Sequence, residues 1–424
     1  MKTLLKTVIL CLSILSANAQ DQKSINFINN LSWSDIKQKA SAEEKFILID
    51  FSTTWCVPCK KMEHEVFTKE NVFEFANKNF TSTYYQCDTS ANDAPSIKNR
   101  YSQAKALEKE FNVYSYPTFI VLNSQGQEVH KIVGYRTDSE FISELKRAID
   151  PATQHGLLTA QYDKGNRDPE FLLKLINSTK NVFDFVALPK YVNTYLTTQD
   201  NKLSADNIRL AILGAKSTSD LSFDVLVKNE AAVDAIAGKN KTANVIVPIV
   251  FYDLAVPELR VNGKVNRDAS GMMIMFEGEL NKNINWKDFE TKMTRSYPAF
   301  ADKIIAHSKA NYFMWDKDWQ KLAKVVSSSL AQKQLSQHQV TRSIDAIFYE
   351  CADKKILKTA LSWTSNEQLK EDSDLFWSKS KLMYKLGQTS EALALLKSNR
   401  KADADNTYLE SIIDKMEKGV SPWE

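Results

Sequence analysis

The chain has 424 residues, with 55 Lys and Arg against 52 Asp and Glu and a formal net charge of +3. This length is typical of two or three domains, and a composition of 43% hydrophobic and 25% charged residues is ordinary for a globular protein. A near-neutral chain without basic clusters gives no indication of nucleic acid or of an anionic membrane surface as a partner.

Residues 1–19 have the pattern of a secretory signal peptide. Lys2 and Lys6 supply the positive start, residues 8–15 the short apolar stretch, and Ala17-Asn18-Ala19 a small-residue cleavage site. The apolar stretch is too short to span a membrane, and no later apolar run of about 18 residues is evident. We therefore expect a secreted protein that does not span a membrane.

Residues 30–150 predict an alternation of strands and helices. A continuous apolar run at 46–51 is typical of a central strand that is covered on both faces. Thr137-Asp138-Ser139-Glu140 is a capping box before the last helix, and Pro151 ends that helix. In chain order we expect a helix at 34–44, a strand at 46–51, a helix at 59–77, a strand at 81–87, a helix at 104–111, strands at 118–122 and 128–133, and a helix to about Ile149.

Two cysteines, Cys56 and Cys59, open the helix that follows the first strand. The two residues between them place both sulfurs on one helical turn, so they can close a disulfide. Backbone N–H groups and the helix dipole at an exposed helix start lower the pKa of the first thiol. We predict that Cys56 is the attacking thiolate and Cys59 the resolving thiol. Val57-Pro58 contains no histidine, which favours a reducing pair.

Asp50 places a carboxyl group inside the apolar strand. A buried carboxylate without a partner is costly, so its pKa should rise and it should hold a proton near neutral pH. Such a group can serve Cys59 as a general acid and base. The alternative is an aspartate at the end of the strand, partly solvated and without a role.

The other cysteines and the histidines give weaker signals. A zinc site built on the CxxC motif would need a second Cys or His pair, and the five histidines show no such spacing. We therefore expect neither a metal nor a cofactor. Cys87 and Cys351 are predicted to be inert thiols, with a bridge between them as the alternative. His64, on the active-site helix, is predicted to be solvated or packed.

These residues resemble the thioredoxin superfamily over roughly 30–150, an α/β fold with a mixed central sheet and flanking helices. The resemblance rests on Asp50, Trp55-Cys56-Val57-Pro58-Cys59-Lys60, Tyr116-Pro117-Thr118, Gly126 and Gly134. Within the superfamily the segment is most similar to the secreted C-terminal domain of the thiol:disulfide interchange protein DsbD. The residues that carry this second similarity are Val57, Glu65, Phe67 and the segment 90–93.

The resemblance implies further site residues. It implies a cis peptide bond before Pro117, which would expose the Tyr116 backbone for pairing with an extended substrate; a trans proline at a strand start is the alternative. Tyr116 and Thr118 are thereby expected to bind substrate. Trp55 is expected to offer an apolar contact to the substrate, with plain packing as the alternative.

The chain departs from the family pattern at two places. Residues 94–106 contain an insertion. Tyr84 stands at about the position where the family often has a lysine, close to the buried acid. The pKa of Asp50 is therefore expected to be set differently here.

Residues 151–424 predict an all-α helical domain, possibly of two subdomains, because helical spacing of apolar residues dominates. Residues 374–398 resemble one tetratricopeptide-type helix pair. The β-branched stretch 243–261 is left unassigned. The domain boundaries predicted are thus 1–19, 20–150 and 151–424.

Together these features predict an exported thiol–disulfide oxidoreductase, a protein disulfide reductase or isomerase that is most consistent with the periplasm. Its substrates would be disulfide-containing exported proteins. The resemblance implies electrons from a membrane-embedded thiol donor. The alternative is a helical binding or assembly protein that uses the thioredoxin-like domain as a docking module, although docking needs neither the CxxC motif nor Asp50.

Overall fold

A computed structural model describes residues 23–423 apart from 269, 270, 272, 370–374 and 401–406. The predicted signal peptide lies outside the described residues. The chain divides into two compact units, the first up to Asn166 together with Asn177–Phe183, the second Arg167–Ile176 together with Asp184 onward. The boundary predicted between residues 150 and 151 stays a prediction.

The first unit is built on a four-stranded sheet in the order β2-β1-β3-β4, in which β1 is parallel to β2 and antiparallel to β3, and β3 is antiparallel to β4. Its elements are α1 (Trp33–Ala42), β1 (Phe46–Ser52), α2 (Val57–Lys61), a π-helical turn (Met62–Val66), α3 (Glu70–Asn79), β2 (Phe80–Gln86), α4 (Pro95–Lys98), α5 (Tyr101–Glu110), β3 (Thr118–Leu122), β4 (Glu128–Val133), α6 (Asp138–Ile149) and α7 (His155–Asp163). This is the predicted mixed sheet with flanking helices.

The helix predicted at 59–77 is interrupted. Lys69 has an extended backbone, with φ −74° and ψ 132°, and α3 begins only at Glu70. The preceding residues Met62–Val66 form the π-helical turn, and Phe67 N–H donates to the Met62 carbonyl at 2.9 Å. Apolar spacing continues across the break, which is why the sequence predicted one helix.

Strand β1 is buried on both faces. Leu48 packs into the core on one side of the sheet, with Phe119 and Phe141, while Ile47 and Ile49 pack into the core on the other. Because side chains alternate along a strand, Asp50 lies on the same face as Leu48. That core also contains Met62 and other residues of the helical segment that follows the CxxC motif.

Phe141 gives a test of this core. It is fully buried, and its ring lies 4.9 Å from that of Phe119 and 5.9 Å from that of Phe67. Phe141→Ala should lower the free energy of unfolding by about 3–5 kcal/mol, because it removes apolar contacts and leaves a cavity. Chemical denaturation measures this. The control Ser143→Ala, at an exposed position of the same helix, should change it by less than about 0.5 kcal/mol, and equal effects of the two changes would contradict this packing.

The rest of the chain is largely helical, as predicted, but it also contains a two-stranded antiparallel sheet that was not predicted. Its elements are α8 (Pro169–Asn181), α9 (Leu188–Thr197), α10 (Ala205–Gly214), α11 (Leu221–Lys228), α12 (Glu230–Ala237), α13 (Lys241–Val250), a π-helical turn (Phe251–Ala255), α14 (Val256–Leu259), β5 (Arg260–Arg267), β6 (Ile274–Leu280), α15 (Trp286–Ser296), α16 (Ala301–Trp315), α17 (Trp319–Ala331), α18 (Gln337–Glu350), α19 (Lys354–Trp363), a 3₁₀ turn (Glu367–Leu369), α20 (Leu375–Lys385), α21 (Thr389–Ser398) and α22 (Thr407–Glu417).

The hairpin β5–β6 corrects the prediction of an all-α region. Gly278 has φ +85°, and a Cβ atom there would lie 2.3 Å from the Val261 carbonyl oxygen. The strands approach closely at this irregularity in their pairing, and only glycine allows it. Glycines inside the strands weakened the strand pattern in the sequence.

The unassigned stretch 243–261 is mostly helix. By length and composition alone, Lys241–Leu259 could cross a membrane. This finding corrects the expectation that no apolar run of about 18 residues follows the predicted signal peptide. Pro248 and Asp253 interrupt the run in the sequence. Of the most apolar 18 residues in this segment, 56% are buried inside the protein. A buried core helix can meet the same criterion of length and composition, and this segment has the burial of such a helix.

The predicted helix pair near 374–398 coincides with α20 and α21. Gly387, with φ +85°, lies between them. Ala392 and Leu396 pack with Ile412 and Ile413 of α22. Kinship of this pair with tetratricopeptide repeats stays a prediction.

Candidate active site

A disulfide joins Cys56 and Cys59 at the start of α2, with their Cα atoms 5.3 Å apart. Cys56 caps the helix, and its Sγ accepts a hydrogen bond from the Cys59 N–H at 3.2 Å. Pro58 lies in the first turn, where a missing N–H costs nothing. The cap therefore places the Cys56 sulfur at the positive end of α2, where a thiolate would be stabilised.

The expectation of an exposed Cys56 is wrong for this bonded form. Cys56 is only 2% exposed and Cys59 7%, whereas Trp55 is 67% and Val57 42% exposed. The reason is local. The Cys56 sulfur turns inward to its partner and to the Cys59 N–H, while the flanking side chains turn outward. Two exposed apolar side chains, Trp55 and Val57, therefore flank the disulfide.

The loop before Cys56 is held by Asp88, which the sequence analysis missed. The Asp88 carboxylate accepts a hydrogen bond from the Thr54 N–H at 2.9 Å and another from the Thr54 hydroxyl. The Cys87 N–H donates to the Ser52 carbonyl at 2.8 Å. In the sequence, the signal for this contact is the position of Asp88 just after β2, the strand that lies parallel to β1.

Asp50 is buried, as predicted, and the solvated alternative is wrong. It is 5% exposed, and its Oδ1 has no hydrogen-bond partner among the described residues. Burial raises the pKa of this carboxyl to about 8, and the negative charge of Glu63 adds to the shift. Near neutral pH the carboxyl of Asp50 is therefore mostly protonated.

Tyr84 lies beside Asp50, since the two residues are paired in the β1–β2 register. This confirms the departure from the family pattern noted in the sequence. Burial and the negative charge of Asp50 raise the pKa of the Tyr84 phenol, so it is neutral. A neutral phenol leaves the carboxyl without the charge compensation that a lysine there would provide.

The peptide bond between Tyr116 and Pro117 is cis, as predicted. The Pro117 carbonyl accepts from the Gly134 N–H at 2.8 Å. The main-chain groups of Tyr116 pair with no other main-chain group in the part of the chain that the structure describes. Pairing of these groups with an extended substrate stays a prediction.

The Tyr116 ring supports Trp55. The two rings meet edge to face with centroids 5.9 Å apart, and the Tyr116 hydroxyl donates to the Glu108 carboxylate. Since most of Trp55 stays exposed, its ring is held in place while keeping a free apolar face. Its role in binding substrate stays a prediction.

The Thr118 side chain is buried, and its role in binding substrate stays a prediction. Thr118 is 1% exposed, and its hydroxyl donates to the Ser115 carbonyl at 2.8 Å. The side chain is thus committed to the loop that carries Pro117. Its observed contact positions that loop.

Cys87 and Cys351 are free thiols, so the alternative of a bridge between them is wrong. Burial and the negative charge of Glu108 raise the pKa of the Cys87 thiol to about 12, which makes it a poor nucleophile. His64 is exposed. Among residues 23–423, with the gaps given above, no group of three or more His, Cys, Asp and Glu side chains could hold a metal ion.

Several known proteins are similar to the part of the chain that carries this site. The family described as a thioredoxin-like domain matches residues 34–149. The protein DsbD of Tatumella citrea is 29% identical over 133 residues, which are 30% of this chain and 21% of that protein. Thioredoxin H2 of Arabidopsis thaliana is 23% identical over 28% of this chain and 76% of its own length. The oxidised C-terminal domain of Neisseria meningitidis DsbD covers 27% of this chain and 90% of that structure at 18% identity, with a TM-score of 0.22.

The segment 34–149 is therefore a thioredoxin-superfamily domain with the CxxC pair of a thiol–disulfide oxidoreductase. Within that superfamily the domain is similar to DsbD. This chain spans only about a fifth of the DsbD relative named above (21%), so the activity and partners of the whole protein are matters of proposal.

Proposed function

We propose that this protein is an exported protein-disulfide reductase or isomerase. The observation that carries the proposal is the pairing of a Cys56–Cys59 couple at a helix start with a buried, protonated Asp50. Such a site combines two-electron thiol chemistry with a carboxyl that holds a proton near neutral pH and can accept one once it is ionised. The exposed Trp55 and Val57 would contact the substrate around the disulfide.

In the reduced form the Cys56 thiolate attacks one sulfur of a substrate disulfide. The S–S bond of the substrate breaks, its other sulfur leaves as a thiolate that takes a proton from solvent, and a mixed disulfide with Cys56 forms. Cys59 then loses its proton to the Asp50 carboxylate and attacks the Cys56 sulfur. The second substrate sulfur leaves as a thiolate that takes a proton from solvent, so the substrate is released as a dithiol, and the two cysteines end as the oxidised Cys56–Cys59 disulfide.

Renewed turnover needs a dithiol donor that reduces this disulfide. Asp50 then returns its proton to the Cys59 sulfur as that sulfur leaves. By similarity to DsbD, a thiol:disulfide interchange protein, we propose a membrane-embedded thiol donor and clients among disulfide-containing exported proteins. The periplasm is the proposed location. The absence of a histidine between the cysteines supports reduction rather than strong oxidation of clients.

The second candidate is a helical binding or assembly protein that uses the thioredoxin-like domain for docking. The size of the helical region favours it. The bonded cysteines and the buried carboxyl of Asp50 argue against it, because docking needs neither. In the oxidoreductase proposal the helical region recruits clients.

Replacing Cys59 by serine should trap clients. Without the resolving thiol, the mixed disulfide through Cys56 persists, so covalent adducts should accumulate that dithiothreitol releases. Non-reducing electrophoresis and mass spectrometry of the adducts measure this and identify the clients. Adducts of cytosolic proteins alone would contradict export.

The matched controls are Cys56→Ser combined with Cys59→Ser, and Cys59→Ser combined with Cys87→Ser. The first pair should trap nothing, because the attacking sulfur is gone, and the second should trap as Cys59→Ser alone does. Trapping by Cys56→Ser but not by Cys59→Ser would reverse the assigned roles. No trapping by any variant would favour the docking candidate.

A further inference from the structure

A cavity of about 600 Å³ lies in the second unit, lined by residues of α13, α16 and the segment that leads into α18. This volume suits a small-molecule ligand. Three lysines line it, Lys239, Lys303 and Lys333, against one carboxylate, that of Glu367. In the described part of the chain none of the three lysines forms an ion pair. The cavity therefore has an excess of uncompensated positive charge.

His307 lines the same cavity. It is 7% exposed, and its Nε2 has no hydrogen-bond partner among the described residues. Burial, followed by the positive charges of Arg342 and His338, lowers the pKa of His307 to about 3, so the ring is neutral at pH 7. An unpartnered buried imidazole nitrogen costs free energy. A polar group of a ligand bound in the cavity would satisfy this nitrogen.

The polar environment continues behind His307. The Asn311 amide donates to the His307 carbonyl at 2.9 Å and to the Gln339 side-chain oxygen at 3.0 Å. Asn311 Oδ1 and Gln339 Nε2 remain without partners among the described residues, although both side chains are fully buried. Unsatisfied atoms of this kind are rare in protein interiors, and here they lie next to the cavity-lining histidine.

One helix terminus adds to the positive potential. Ser336 and Gln337 line the cavity at the N-terminus of α18, a helix of 14 residues, whose dipole favours an anion. The N-terminus of α13 does not contribute, because the Asp234 carboxylate accepts from Asn240 N–H at 2.6 Å and Thr242 N–H at 2.8 Å.

The remaining lining combines the amide side chains of Asn240, Asn244 and Gln334 with an aliphatic wall formed by Ala243, Val247, Pro248 and Leu335. We propose that this cavity is a binding site for a small organic anion, a carboxylate or phosphate with an apolar body. The lysines and the α18 terminus hold the anionic group, the aliphatic wall holds the body, and His307 forms a hydrogen bond with the ligand. The proposal is independent of the CxxC chemistry.

Calorimetric titration of the full chain with four probes tests the ligand class. Phenyl phosphate and benzoate carry an anionic group and an apolar body, inorganic phosphate carries only the charge, and benzyl alcohol only the body. At least one aromatic anion should bind saturably and about ten-fold more tightly than inorganic phosphate or benzyl alcohol, because it uses both parts of the site. Which aromatic anion binds better distinguishes carboxylate from phosphate. No saturable binding of either below about 10 mM overturns the proposal.

Variants locate the binding. Lys239→Gln combined with Lys333→Gln changes two exposed lysines of the cavity and should weaken binding of the better aromatic anion about ten-fold. Lys358→Gln, at an exposed lysine outside the lining, should leave it unchanged. In the unsubstituted protein the His307 ring resonances should shift during the titration. Equal binding by both variants, or unmoved His307 resonances, overturns the assignment to this cavity.

Discussion

Replacing Cys56 by serine should lower disulfide reductase activity by at least roughly 1,000-fold, because a serine hydroxyl near neutral pH cannot replace the thiolate as nucleophile. The structure caps α2 with this residue and directs the Cys59 N–H at its sulfur, so the expected thiolate is stabilised where it is needed. The measurement is the rate of reduction of a model disulfide protein in the presence of dithiothreitol. The unfolding transition of the variant, measured alongside, separates lost chemistry from lost folding.

Cys87→Ser is the matched control. Cys87 is a half-buried thiol in the same unit, and burial and Glu108 raise its pKa to about 12. Its replacement should change the rate less than about two-fold, because it holds almost no thiolate at neutral pH. Activity of Cys56→Ser close to that of the unsubstituted protein would refute the oxidoreductase proposal. An equal loss in both variants would mean that a third thiol takes part.

The sequence was sufficient for those features of the site that depend on neighbours along the chain. The strand-to-helix junction determines that Cys56 caps α2, and the apolar run around Asp50 determines that its carboxyl is buried. The cis bond before Pro117 came from family resemblance, since the residues alone allow a trans bond.

Other features depend on side-chain orientation or on a contact between residues far apart in the chain, and the sequence analysis did not find them. The burial of Cys56 follows from how its sulfur turns inward once bonded. The Thr118 hydroxyl donates to the Ser115 carbonyl in a loop whose shape no spacing rule describes. Asp88 reaches Thr54 only because β2 lies parallel to β1. Side-chain orientation decides the first two cases and a tertiary hydrogen bond decides the third, and the periodicity of apolar residues reports neither.

Asp50→Asn should separate catalysis from stability. In the native protein the pKa of Asp50 is about 8, against an ordinary value of 3.8. Between these values the unfolded chain releases the proton while the native state keeps it, so the unsubstituted protein loses stability as pH rises from about 4 to about 8. The asparagine variant does not ionise. It should therefore be equally stable near pH 4 and more stable at pH 7, by about 2–4 kcal/mol.

Turnover should change in the opposite direction. An amide of similar size cannot accept the Cys59 proton, so the rate of disulfide reduction should fall by about 100-fold, and the increase in rate as Asp50 ionises near pH 8 should disappear.

Glu63→Gln is the companion variant. Removing that negative charge should lower the pKa of Asp50, so both the stability change and the rate increase should move together to lower pH. If Asp50→Asn is stabilised at pH 7 but reduces disulfides at the original rate, Asp50 is a buried acid without a catalytic role. If Asp50→Asn reduces disulfides slowly but is not stabilised at pH 7, the carboxyl of Asp50 is already ionised in the native state. The proton transfer assigned to it would then be wrong.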